Sequence, residues 1–491
     1  MVKTQRNFLI AAIVGLLILF LLPPVNGLTP VGVKFLAVFI PTVIIWLIEG
    51  GSGWSGLMAT ALIVFLGVYN GAETYKLLWG GALVALCIPF YMIANALEES
   101  GAVMWVVRWI LSRKIVHGRP TLFTILFTLS LILISVMITP MVTVVIFFKV
   151  LKDLCESIGY DRDSQFYRAH GLIIGWIGQA VDGCLIWGRP FILSMVAMIV
   201  GLGFEKFTVN DFFRLAILYL IIITVVAILF VKFWIRPDCS NFENYDDAAV
   251  REELKANPLN THSKILLVGM LAVVFCYVGA FFTPLGVVQQ YLNTLPAAAP
   301  VSLAVAILAL IYIADGKDGA KKPVLDIGRE MSRLPWNTII FLGSVMYFGG
   351  IVGSEEFGIS ACLSNIITPI VSSLSPTVSF IVGLAIASVL TNLTSNAVSC
   401  MVVLSCFVPA MIAAPNIGQA QVLAFCVCTV TVCATAIATR AACATMSLVY
   451  CPDGIDYKGT ALYSIALCAV MVVVSALVLV PLGSGIFAGI V

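Results

Sequence analysis

The chain has 491 residues, 61% hydrophobic and 11% charged, with a mean hydropathy of +1.08. Soluble globular domains carry about 25% charged residues, so a soluble fold is excluded. A formal net charge of +2 makes no case for nucleic acid, and three His with fourteen Cys, most of them in apolar runs, give no zinc or disulfide spacing.

Lys3 and Arg6 precede an apolar stretch, Phe8–Leu22, that no small-residue cleavage site follows. Residues 1–29 therefore read as an uncleaved first transmembrane helix. Apolar runs of spanning length then recur to the end of the chain. Residues 30–237 form a first repeat. Within it, 120–156 reads as a helical hairpin with its tip at Thr139-Pro140. The following segment, 169–202, is too long for one simple helix and is interrupted at Gly183 and at Trp187-Gly188-Arg189-Pro190. Residues 238–263 are polar and read as a solvated linker. Residues 264–491 form a second repeat, with a further polar stretch at Asp315–Arg333. Its hairpin is 376–414, with the tip at Ser395-Asn396, and its interrupted segment is 420–450, broken at Ala438-Thr439-Arg440-Ala441.

The repeat rests on spacing. Trp79 and Trp336 are 257 positions apart, and so are Glu98 and Glu355, Glu99 and Glu356, Gly101 and Gly358. Each window is a Trp, an apolar helix, then Glu-Glu-x-Gly. Farther on, Ser135, Thr139 and Thr143 align with Thr391, Ser395 and Ser399. Most basic residues fall on one side if the N-terminus is cytoplasmic and both hairpins are re-entrant, which gives eleven spans, a cytoplasmic linker and inverted halves. The predicted class is an all-α polytopic membrane protein with two inverted-topology repeats, re-entrant helical hairpins and broken transmembrane helices.

Interrupted segments at matching places in two halves point to a transporter's binding site. Arg189 and Arg440 occupy comparable places in the two breaks. A guanidinium held at bilayer depth stays charged and needs an anion, carbonyls or water. Two readings follow: a pair of fixed cations facing an anionic substrate, or an internal ion pair with Asp182, the only acid in either broken segment. Asp182 could also carry a proton. Ser395 and Asn396, with Thr391 and Asn392 before them, offer the oxygen ligands small cations need, and Thr139 is the hydroxyl at the first tip. Glu98, Glu99, Glu355 and Glu356 read as interfacial anchors.

The Trp79…Glu98-Glu-Ser-Gly101 helix with its recurrence at Trp336, the tip Leu393-Thr-Ser-Asn-Ala397 and the tail from Asp453-Gly-Ile-Asp-Tyr-Lys-Gly459 together resemble the divalent-anion/sodium symporter family. The resemblance implies an elevator-type secondary transporter, a scaffold that forms a homodimer, and a sodium site at each tip. Ser395 and Asn396 would keep part of the second sodium site and hold substrate. The chain departs from the family pattern at Thr139-Pro140-Met141, at Ala397, at Gly188-Arg189-Pro190 and at Thr439-Arg440-Ala441.

The expectation is a carrier, not an enzyme, that moves a small anion, a di- or tricarboxylate or similar, across the cytoplasmic membrane. It has no cofactor; Na+ or H+ is the candidate coupling ion, or Arg189 and Arg440 stand in for bound cations. Thr139, Arg189, Ser395, Asn396 and Arg440 are the expected substrate contacts. The rival reading is a cation/proton antiporter that uses Asp182.

Overall fold

Backbone N–H and C=O groups find no water in hydrocarbon, so a chain this apolar can satisfy them only in helices or a closed barrel. The computed structural model of the chain takes the first route. It describes every residue except 1–2, 50–52, 81, 112–117, 139, 185–189, 245–251, 253, 280–284, 297, 315–320, 354, 394–395, 441 and 452–453.

The first half runs α1 (Lys3–Leu21), α2 (Pro30–Glu49), α3 (Gly53–Phe65), α4 (Gly71–Gly80), α5 (Ala82–Glu99), α6 (Ala102–Leu111), α7 (Pro120–Met137), α8 (Pro140–Ile158), α9 (Gln165–Cys184), α10 (Pro190–Gly201) and α11 (Val209–Leu229). The second runs α12 (Thr261–Gly279), α13 (Val287–Thr294), α14 (Ala298–Leu310), α15 (Ile327–Ser332), α16 (Trp336–Gly353), α17 (Ile359–Ser373), α18 (Pro376–Leu393), α19 (Asn396–Ala413), α20 (Gln419–Ala434), α21 (Ala444–Val449), α22 (Tyr457–Val474) and α23 (Val480–Phe487). Among the described residues the only strands are β1 (Tyr312–Ala314) and β2 (Lys321–Pro323), an antiparallel pair in which Ile313 faces Lys322.

Among the described residues, eight helical runs are long and apolar enough to cross a membrane, and five shorter apolar helices accompany them. The protein is thus an all-α, multi-pass membrane protein. Helices α7, α18 and α19 each have 18 residues, about 27 Å of helix. That length suits a re-entrant hairpin or a full crossing equally.

The succession from α5 to α11 is matched element for element from α16 to α22. Gly101 and Gly358 both take positive φ, at 72° and 65°. The last helix of each series winds on into a π-helical turn, Phe230–Ile235 after α11 and Ser475–Leu479 after α22. At the centre, α9 packs against α20. A Cβ added at Gly183 would lie 2.2 Å from Ala434 Cβ, so that glycine is what lets the two helices meet. On the periphery α1 leans on α2, with Phe20 and Leu21 over 70% exposed, as a lipid-facing helix must.

Outside the apolar spans, the short helix α15 docks on the end of α5. The guanidinium groups of Arg329 and Arg333 both reach Glu99, that of Arg329 at 2.8 Å. This pairing ties α15 to the end of α5. Glu330 on the same helix is 3% exposed, and its Oε2 has no hydrogen-bond partner. Burial pushes its carboxyl above the usual carboxylate range. Arg333 and Arg329 oppose that shift, and Glu99 and Asp326 add to it. A carboxyl raised in the folded state binds its proton more tightly than in the unfolded chain. Its contribution to stability is therefore fully present below its unfolded value and lost as pH rises through its folded value. Glu330→Gln should raise the melting temperature at about pH 8 and leave it nearly unchanged at about pH 4. Paired thermal melts of wild type and variant across that range check it; parallel curves would contradict it.

Candidate functional site

Helix α20 stops at Ala434, and residues 436–440 run without helical hydrogen bonds before α21 begins. Residues 435–438 are buried. Buried backbone must be paired, so the groups that hold this strand define the site.

The hairpin tip supplies most of them. Asn392, the penultimate residue of α18, is 6% exposed. Its Oδ1 accepts from the Ala438 N–H at 2.6 Å, and its Nδ2 donates to Ser388 O at 2.8 Å. Its own carbonyl accepts the Thr439 hydroxyl. Thr391, fully buried, donates to Cys433 O at 2.6 Å. The hydroxyl has one proton, and this shorter contact takes it rather than Asn396 Oδ1 at 3.1 Å. Asn396 opens α19, and its Nδ2 points at Ala434 O from 3.5 Å. The N-terminus of the 18-residue α19 therefore meets the C-terminus of the 16-residue α20. The first carries partial positive charge and the second partial negative.

The other half of the chain contributes α9, which brings Gln179. Its Nε2 donates to Ala434 O at 3.0 Å, and its Oε1 accepts the Cys443 thiol at 3.4 Å. Behind the strand, Tyr219 donates to Thr435 at 2.9 Å. Tyr450 and Trp176 both reach Ser464 at 2.8 Å.

Of the residues expected from sequence, Asn396 and Arg440 border this junction. Arg440 is exposed, and its Nε and Nη2 both donate to Tyr450 O, the carbonyl that caps the six-residue α21, with Nε at 2.7 Å. A cation belongs at that end of a helix. Asp182 lies in the last turn of α9, half-buried, three residues beyond Gln179 and on the same face. Thr139, Arg189 and Ser395 lie outside the described residues. Reasoning from sequence passed over Gln179, Thr439 and Cys443 as contacts. A lone amide in the run Gly175-Trp-Ile-Gly-Gln179-Ala-Val-Asp182 was the one signal that could have marked the first of them.

Two cavities lie elsewhere. One of about 280 Å³ opens between α2, α17 and α19, lined by residues such as Phe39, Ile359 and Val402. Another of about 530 Å³ lies between α12, α13 and α14. Both are apolar and neither reaches the tip, so the polar junction is the better candidate for recognising a charged solute.

A family model described as "Sodium:sulfate symporter transmembrane region" matches residues 3–486. No curated protein matches the chain in sequence.

Proposed function

The chain belongs to the sodium:sulfate symporter family, a family of secondary anion transporters, and on that premise we propose that it carries a small anion, a di- or tricarboxylate or sulfate, across the cytoplasmic membrane. The observation that carries this reading is the buried junction of Thr391, Asn392 and Asn396 with the segment 435–438 that follows α20. Amide, hydroxyl and helix-terminal groups converge there, beside the positive end of α19. The matching succession of elements in the two halves supports inverted repeats, with the N-terminus cytoplasmic and the two hairpins re-entrant. The hairpins and broken helices form the unit that moves as an elevator, and the remaining helices form a homodimeric scaffold.

Arg440 supplies fixed positive charge at the rim of the second site, anchored by the Tyr450 carbonyl, and Arg189 is assigned the same duty in the first. Fixed cations favour exchange of anions or proton coupling over a sodium gradient.

Binding is tested by thermal shift of the purified protein against sulfate and a panel of small carboxylates in choline buffer. At a hundredfold excess over Kd, a ligand should add about 2.7 kcal/mol of stability. Stabilisation by at least one divalent anion, absent with chloride, is expected. No shift with any of them would defeat the reading.

A further inference from the structure

The family's description names sodium as the ion moved with the anion, and the second-half site can be tested for its fit to that ion. A hard cation needs several oxygen ligands. The last four carbonyls of a helix are the usual source, since they lack partners within the helix and sit at its negative end. In α20 each of these four already accepts a hydrogen bond. Thr431 O accepts the Thr435 hydroxyl at 2.8 Å, and Val432 O accepts the Thr435 N–H at 3.1 Å. Cys433 O accepts Thr391, and Ala434 O accepts Gln179 and, at longer range, Asn396. Farther along the chain, Ile437 O accepts the Tyr450 hydroxyl at 3.3 Å. Among the described residues, this donor set does not fit a sodium ion.

We infer that Gln179 makes the second-half site independent of sodium: its amide N–H group, delivered from the other half of the chain, occupies the Ala434 carbonyl that an ion would need. A carbonyl can only accept, and on the other side the Cys443 thiol points its hydrogen at Gln179 Oε1. These two partners fix which way the amide faces. Gln179 is 2% exposed, so no water competes for either bond. Its place also ties the end of α20 to the residue that precedes α21, which holds the strand in register. This deepens the proposed transport function and rests on it for the meaning of the site, not for the sodium result itself.

Thermal melts of the purified full chain in sodium chloride and in equal choline chloride, at about pH 8, test it. Wild type should melt at the same temperature in both salts. Gln179→Glu puts a carboxylate oxygen beside the Ala434 carbonyl and should gain a sodium-specific rise of roughly 2–5 °C. Gln179→Met keeps the volume without donor or acceptor, and should melt lower by equal amounts in both salts. A sodium-specific rise in wild type overturns the assignment, as does identical salt behaviour of Gln179→Glu and Gln179→Met. If Gln179→Glu does not fold, the wild-type comparison decides alone. Anion binding in choline separates the two readings. Should no anion bind while the Gln179→Glu result holds, the transport reading fails and this assignment stands. Should anions bind only with sodium, the reverse is true.

Discussion

Gly358→Ala is expected to cost on the order of 4 kcal/mol or more and to remove most folded protein, an effect in the exceptional class for one methyl group. Gly358 has φ 65° and ψ 14° immediately before α17. A side chain in that left-handed region costs about 1–2 kcal/mol by itself. The larger part is contact. A Cβ there would sit 1.9 Å from Gly27 O and 2.9 Å from Gly27 C, both backbone atoms that no rotamer change can move. The loop that would be displaced is bound on both sides. Thr29 N–H donates to Phe357 O at 3.3 Å, the Thr29 hydroxyl reaches Glu356 O at 3.0 Å, and Asn365 donates to Asn26 O at 3.0 Å. Gly101 is the control. It holds the matching place in the first half at φ 72°, and an added Cβ would meet nothing within 4 Å. Gly101→Ala should therefore cost only about 1–2 kcal/mol. Melting temperatures in detergent by fluorescence-detected size exclusion compare the pair. Equal losses would contradict the docking of the 26–32 loop.

Asn392→Ala is expected to lower anion uptake at least tenfold while most of the protein still folds. Among the described residues, its amide is the only bridge between the α18 tip and the Ala438 N–H. Removing it leaves that buried donor unpaired, at about 1–3 kcal/mol. The segment 436–440 then loses its register against the tip, which misplaces the junction where the anion is proposed to sit. Thr439→Val removes the partner bond to Asn392 O with little change of shape, and should be milder. Both side chains pin the same few residues, so the double variant should be little worse than Asn392→Ala alone. Initial uptake rates in proteoliposomes, normalised to folded protein, decide it. Additive losses would show that the two bonds serve separate purposes.

Several of these features were legible in the sequence because they follow from chain chemistry. The Glu-Glu-x-Gly windows marked Gly101 and Gly358, and both do adopt the left-handed backbone that glycine permits. The polar run at the second tip stood out because Thr391, Asn392 and Asn396 are costly in an apolar helix unless paired, and the structure pairs each of them. What stayed hidden depends on contacts across the chain. Arg440 and the 444–449 turn are close in sequence, but nothing in the residue types says that the guanidinium folds back onto Tyr450 O. Gln179 and Ala434 are 255 positions apart, and a single amide reads equally well as a satisfied core residue. Trp46 and Trp54 likewise differ only in what packs on them. Trp46 is fully buried and donates to Ser55 at 2.8 Å, whereas Trp54 meets the ring of Phe8.

The most direct test of the account is counterflow. Proteoliposomes of the purified chain are loaded with an unlabelled divalent anion that stabilises it, and labelled anion is added outside without sodium. Label should accumulate transiently above its equilibrium level, and Asn392→Ala should abolish the overshoot. If label enters only with sodium on the outside, or if the loaded vesicles take up none while the protein is folded, a sodium-free anion carrier built on the 391–396 tip is the wrong description of this molecule.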